Sequence, residues 1–247
     1  MTFLSDLLLN EWPLGKVTLT GGRMIVTIVG AGRLAEGIAV RVLAGGHRVR
    51  ISDADSGKAT ALAAGLAERA AASGSRTWSR TVAQVVGFEV AGGIAGADIV
   101  VLALPYPQGR LVARDAGAAL SGVTVVDTCN PVDFSTFDSL LTSPNLSAAE
   151  EIADASKGAR VVKAFNTTFA TALIAGWVGG LPLDVFLASD DTEAKRQVAT
   201  LVTDGGMRPV DTGPLRRARE LEAFQLLHMT LQGPLGLDWA SAIKLLP

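Results

Sequence analysis

The chain has 247 residues, 49% of them hydrophobic, with 22 Lys and Arg against 24 Asp and Glu and a formal charge of -2. That length suits one large domain or a dinucleotide domain with a smaller unit, and the balanced charge offers no field for nucleic acid or anionic lipid. The single cysteine, Cys129, excludes an intrachain disulfide and agrees with a reducing compartment, where it reads as an inert buried thiol.

Residues 1–22 read as an N-terminal extension. Met1 to Asn10 lack a basic start and carry Asp6, which argues against a secretory signal and for a cytoplasmic protein. After the Gly21-Gly22 break, Met24 to Val29 predicts the first strand, followed by Gly30-Ala31-Gly32-Arg33-Leu34-Ala35 and a helix with Leu34, Ile38 and Val42 at helical spacing. Gly45-Gly46 ends that helix; His47 to Ser52 predicts a second strand, and Ser56 to Ala72 a capped second helix. Residues 73–97 carry weaker signals, consistent with one short strand and a loop.

Ile99 to Leu104 is a continuous apolar run of the kind found in a parallel strand buried on both faces, and it stops at Pro105. A helix over 107–120, a strand over Val123 to Asp127, a helix over Ala148 to Ser156 and a strand over Arg160 to Phe165 continue the alternation. Next come a helix near 168–175, a strand over Asp184 to Ala188, a helix from Thr192 to Asp204, a strand over Met207 to Asp211 and a helix from Pro214 to Gln232. This pattern predicts an α/β Rossmann fold, a doubly wound, mostly parallel sheet, with a Rossmann domain over 23–165 and a smaller C-terminal α/β lobe over 166–247. The longest uncharged run, Lys163 to Asp184, contains Asn166, three threonines, three glycines and Pro182, too polar for a membrane span.

The chemistry begins at Gly30-Ala31-Gly32. A pyrophosphate approaches such a turn only where no Cβ shields the backbone, and the following helix offers free N–H groups and partial positive charge. An acid, Asp53, follows at the end of the second strand, where it would accept hydrogen bonds from the adenosine ribose hydroxyls; the competing reading makes it a turn or capping acid within Ser52 to Ser56. Arg33 either leans on the phosphates or points to water.

Together, Ile28 to Gly32, Val101 to Pro105, Val125 to Pro131, Val162 to Thr167, Asp190-Asp191, Arg208 to Leu215 and the Arg219-Glu220-Leu221 helix are specific. In these blocks the chain resembles the NADP oxidoreductases dependent on coenzyme F420, a deazaflavin, and the related cytosolic domain of the six-transmembrane metalloreductases. The resemblance implies that Leu104-Pro105 pass beside the cofactor and that Asn130, Asn166 and Thr167 line the nicotinamide end of the cleft, although Asn130 before Pro131 also fits a plain turn. Where the deazaflavin enzymes carry a Ser-Arg pair for the 2′-phosphate, this chain has Asp53-Ala54, with Ser52 and Lys58 left to help. The family's NADP thus stands against an acidic pair, Asp53 and Asp55, that favours NAD; Lys58 and Arg76 are the nearby cations.

Hydride transfer between a nicotinamide and a deazaflavin or flavin acceptor needs ring positioning and no compulsory protein acid. That fits a chain with two histidines, His47 in a turn and His228 in a helix where packing is the default. Lys163 reads as a strand-end lysine reaching for water, or else as a substrate anchor. No nucleophile elbow and no Cys/His metal spacing is present. The rival readings are a reductase of a small imine or carbonyl, with Lys163 or His228 as proton donor, and a non-catalytic nicotinamide-binding redox sensor. Leu221, Phe224, Leu227 and Leu231 form an apolar stripe that predicts a homodimer.

Overall fold

The computed structural model describes residues 22–72, 84–85 and 93–246. Almost all of the N-terminal extension and Arg76 lie outside them. Strand β1 (Ile25–Val29) is followed by helix α1 (Arg33–Ala44), β2 (Arg48–Ser52), α2 (Ser56–Ala72), β3 (Gln84–Val85), β4 (Ile99–Leu102), α3 (Tyr106–Ala116) and β5 (Thr124–Asp127). Then come α4 (Ala148–Ala155), β6 (Arg160–Lys163), α5 (Ala170–Ala175), a small hairpin of β7 (Trp177–Val178) and β8 (Leu181–Pro182), β9 (Asp184–Ala188), α6 (Thr192–Asp204), β10 (Arg208–Gly213) and α7 (Ala218–Thr230).

Eight of the described strands form one sheet in the order β10-β9-β6-β5-β4-β1-β2-β3. All neighbours are parallel except β6 and β9, which meet antiparallel at Lys163 and Ala188. The doubly wound α/β fold expected from the alternation is therefore the fold observed. Strands β9 and β10, from the C-terminal third, extend the same sheet.

Apolar residues explain why the sheet is covered on both faces. Strands β4 and β5 are buried along their whole length, so their side chains alternate into two cores. Ile38, Val42 and Leu43 of α1, Leu173 of α5 and Val198 of α6 fill one; Val112 and Ala113 of α3 and Ile152 of α4 fill the other. Helices α1 and α5 approach closely because residue 37 is glycine: a Cβ there would stand 2.8 Å from the Leu173 Cβ.

Helix ends follow local chemistry. Ser147 and Glu150 form a reciprocal capping box at the start of α4, and the Asp191 side chain accepts from the Ala194 N–H at the start of α6. The β7–β8 hairpin, unforeseen in the uncharged run, turns at Gly179 and Gly180, whose φ values of 57° and 78° suit glycine. No helix among the described residues is long and apolar enough to cross a membrane.

In the sheet, β1 stands between β2 and β4. Chain order runs outward in one direction through β2 and β3 and in the other through β4, β5 and β6. The carboxyl ends of β1 and β4 therefore flank the point where the winding reverses, the place at which open α/β sheets form a crevice.

Candidate functional site

The crevice is built on the Gly30 to Gly32 turn. Gly30 has φ 111°, and a Cβ on it would stand 2.3 Å from the Ala103 carbonyl oxygen, so the turn itself demands glycine there. Gly32 differs. Its φ of -82° and ψ of -178° are open to any residue, and nothing lies within 4 Å of where its Cβ would be. The fold gives no reason for glycine at 32, whereas a ligand backbone pressed against the turn does.

Directly after Gly32, α1 begins without a side-chain cap. Its first N–H groups and its positive dipole end are left toward the crevice, an arrangement that favours an anion. One of the turn's donors is used internally: the Ala31 N–H donates to Asp53 Oδ2 at 2.8 Å. Asp53 Oδ1 accepts from the Asp55 N–H at 2.8 Å, while Asp55 caps α2 by accepting from the N–H groups of Gly57 and Lys58 at 2.9 and 3.2 Å. The capping role thus falls to Asp55. Asp53 ties the end of β2 to the glycine turn, and a carboxylate that accepts two N–H bonds keeps lone pairs for a hydroxyl.

These residues enclose a cavity of about 540 Å³, lined by Gly30, Ala31, Gly32, Arg33, Glu36, Asp53, Lys58, Ala61, Leu62, Ala103, Leu104 and Pro105. Of the site residues named from sequence, Gly30, Ala31, Gly32, Arg33, Asp53, Lys58, Leu104 and Pro105 meet there. Leu34 packs against the core, and Ser52 is buried, its carbonyl accepting from the Gly30 N–H at 2.7 Å. Glu36, Ala61 and Leu62 were not foreseen. Glu36 sits one helical turn beyond Gly32, a spacing that could have signalled it.

Asn130, Asn166 and Thr167 form a second group beside this cavity rather than within its lining. The end of β5 runs next to the end of β4, where the Thr128 hydroxyl donates to the Leu102 carbonyl at 2.9 Å and the Cys129 thiol to the Leu104 carbonyl at 3.3 Å. Asn130 then donates through Nδ2 to the Asn166 carbonyl at 2.9 Å, and Asn166 Nδ2 donates to Asn130 Oδ1 at 3.2 Å and to the Leu221 carbonyl of α7 at 3.1 Å. Asn166 Oδ1, Thr167 Oγ1 and Thr168 Oγ1 are buried without a protein partner. Such groups cost free energy until something pairs with them. Phe165, just before Asn166, has φ 63°, a left-handed conformation unusual for a bulky residue.

Lys163 corrects both sequence expectations. It neither reaches water nor anchors a substrate. It is fully buried, and Asp127 and Glu222, also fully buried, accept hydrogen bonds from two of its N–H groups. Burial disfavours the Lys163 ammonium, but the two carboxylates outweigh it and hold its pKa above the ordinary lysine range. Burial likewise pushes the Glu222 carboxyl above the usual carboxylate range, against the pull of Lys163. Burial raises the Cys129 thiol well above its ordinary range, which disfavours the thiolate. His228 is buried, paired with Gln225 at 3.1 Å and Ser241 at 2.8 Å and packed on the Phe169 ring, and burial lowers its pKa. Glu222 carried no sequence signal, because its contacts join segments far apart in the chain.

Comparisons with known proteins agree with this architecture. Residues 25–131 match the family described as NADP oxidoreductase coenzyme F420-dependent. The chain is 29% identical over 153 residues, 60% of its length and 68% of the relative's, to an F420-dependent NADP reductase of Methanocaldococcus jannaschii. It is 29% identical over 213 residues, 84% of its length and 88% of the relative's, to an F420-dependent NADP reductase of Methanothermobacter thermautotrophicus. Among solved structures, a candidate F420-dependent NADP reductase of Arthrobacter sp. FB24 superposes with a TM-score of 0.68 at 28% identity, covering 86% of this chain and 95% of that one.

Proposed function

We infer that this chain, an NAD(P)-dependent oxidoreductase related to the coenzyme F420-dependent NADP reductases, exchanges hydride between a nicotinamide dinucleotide in the Gly30–Gly32 crevice and a deazaflavin or flavin-like small molecule. The observation that carries the reading is Gly32: a glycine with ordinary backbone angles and open space at its Cβ, on the crevice side of an uncapped helix start. In this reading the pyrophosphate rests against Gly32 and the first turn of α1, with Arg33 as a counter-charge. Asp53 accepts from the adenosine ribose hydroxyls, and Lys58, in the same cavity, is the cation available to a 2′-phosphate. Either NAD or NADP fits this set of donors and acceptors.

Leu104 and Pro105 form the wall past which the nicotinamide end reaches Asn130, Asn166 and Thr167. When bound, the dinucleotide supplies or receives the hydride. The protein orients the reacting face through the paired amides of Asn130 and Asn166 and the Thr167 hydroxyl, and excludes water through the apolar walls of Leu62, Ala103 and Leu104. No side chain is required to donate a proton to the substrate. This separates the reading from reduction of a small imine or carbonyl, for which Lys163 and His228 were the donors in view: Lys163 donates three hydrogen bonds to buried protein oxygens, and His228 is paired on both ring nitrogens.

The test is turnover. NADPH and NADH are each offered with a deazaflavin, then a flavin, then a panel of carbonyl compounds, and oxidation of the dinucleotide is followed optically. The reading expects turnover with the deazaflavin or the flavin; turnover with carbonyls alone, or tight dinucleotide binding without any turnover, contradicts it.

We also propose a cytoplasmic homodimer. Leu221 of the expected stripe turns inward and is 6% exposed, whereas Phe224, Leu227 and Leu231 are 44%, 55% and 41% exposed, alongside Leu235 and Trp239. That apolar surface, on α7 and the segment after it, is of the kind a second copy covers. Light scattering should return twice the chain mass; a monomeric mass at micromolar concentration contradicts the proposal.

A further inference from the structure

Behind the crevice, Lys163, Asp127 and Glu222 meet with their side chains fully buried. An ammonium has three donors, and all are used: to Asp127 Oδ2 at 2.8 Å, to Glu222 Oε1 at 2.7 Å and to the Cys129 carbonyl at 2.6 Å. The remaining oxygen of each carboxylate is also engaged. Asp127 Oδ1 accepts from the Cys129 N–H at 2.8 Å, and Glu222 Oε2 accepts from the Ala148 N–H at the start of α4 at 3.0 Å.

The cluster therefore grips the backbone of Cys129 at its N–H and its carbonyl, immediately before Asn130. On the other side it holds Glu222, whose chain neighbour Leu221 offers the carbonyl that accepts from Asn166 Nδ2. The two asparagines, already bonded to each other, are thus fixed from β5 and from α7 at once. Stability alone does not call for such a cluster, because a buried ion pair about breaks even against apolar residues of the same volume. Geometry does. Phe165 holds a left-handed backbone conformation one residue before Asn166, and strain of that sort persists only where the surroundings over-determine it.

We infer that Lys163 and Glu222 are positioning residues for the Asn130–Asn166 amide pair, setting the orientation of the Asn166 side chain by fixing the Cys129 peptide and the Leu221 carbonyl. The consequence for hydride transfer rests on the proposed place of these asparagines at the nicotinamide end of the crevice. Neither Lys163 nor Glu222 touches the reacting atoms in this account, so disturbing them should impair orientation of the ring and leave the adenosine end undisturbed.

The decisive variant is Glu222→Gln in the full chain, because the Lys163 ammonium and the Ala148 N–H bond to different oxygens of Glu222 and an amide puts a donor NH2 in place of one of them. Dinucleotide affinity by calorimetry should stay within about threefold, kcat for deazaflavin reduction should fall by about tenfold or more, and KM for the acceptor should barely move. By NMR, the Asn166 side-chain amide protons should lose their slow exchange with water. Leu201→Ala, in the α6 core, is the control for destabilisation without repositioning: it should lower the melting temperature and spare kcat. Where Glu222→Gln does not fold, Glu222→Asp, which keeps the charge and shortens the reach, is read by the same measurements. Unchanged kcat and amide exchange in a folded Glu222 variant overturns the inference, as does an equal kcat loss in Leu201→Ala at a matched fall in melting temperature. Failure of the functional reading is visible separately: the unmutated chain then turns over no deazaflavin or flavin, and Asn166 amide exchange still decides the positioning.

Discussion

In the proposed function, Asp53 is the residue that sets which dinucleotide the crevice prefers. Its carboxylate is held at the mouth by the N–H groups of Ala31 and Asp55, so it cannot swing away when a ligand arrives. In the proposed reading a ribose 2′-hydroxyl would gain an acceptor from that fixed charge, whereas a 2′-phosphate would meet repulsion that Lys58 in the same cavity would partly offset. Replacing the acid and adding a fork of donors should move the balance, whichever dinucleotide the unmutated protein favours. Asp53→Ser with Ala54→Arg is expected to shift the ratio of NADPH to NADH affinity toward NADPH by about tenfold or more, about 1.4 kcal/mol, as read by paired titrations. A ratio that does not move would mean that Asp53 faces neither ribose nor phosphate. The sequence carried the position of Asp53 through its spacing from the glycine turn. It left open whether the acid serves a ligand or a turn; in the structure Asp55 takes the capping bonds of α2, while Asp53 makes the turn bond to the Asp55 N–H and the bond to the Ala31 N–H, a division of labour visible only in three dimensions.

At the scale of elements, legibility followed the strength of local signals. Strand Asp184–Ala188 and helix Thr192–Asp204 lie where the pattern puts them, since Asp191 caps the helix and Gly205-Gly206 end it. The long late helix was less well read: Leu215–Arg217 form a tighter 3₁₀ turn before α7 begins at Ala218. Strand β6 stops at Lys163, short of the expected Phe165, because the chain turns there through the left-handed Phe165. The β7–β8 hairpin was missed although Gly179-Gly180 is a hairpin signal, since strands of two residues carry no periodicity. Gly37 offers a direct test of the α1–α5 contact. Gly37→Ala improves helix propensity by up to about 1 kcal/mol but drives a Cβ into Leu173, an overpacking cost of about 1 to 3 kcal/mol. The net expectation is a loss of about 0 to 2 kcal/mol by denaturant titration; a gain in stability would show that the two helices separate freely.

For the whole molecule, the doubly wound order follows from apolar runs alternating with helices, and the reversal at β1 and β4 then sets where a ligand enters. What the sequence did not disclose is long-range pairing. Lys163 looked like an exposed strand end because its partners, Asp127 and Glu222, stand 36 and 59 residues away. Asn130 and Asn166, joined across 36 residues, were named by resemblance, and only the fold shows them bonded to each other. Whether the Gly30–Gly32 turn holds a dinucleotide, as proposed, is decided by calorimetry on Gly32→Val with NADPH and NADH. The open space at this position lets the branched side chain be accommodated by the fold, at a cost of at most about 1 kcal/mol at a helix cap. Gly32→Val should give a folded protein, with a melting temperature close to that of the unmutated chain, that no longer binds either dinucleotide. A folded Gly32→Val protein that binds NADPH or NADH with unchanged affinity would contradict it.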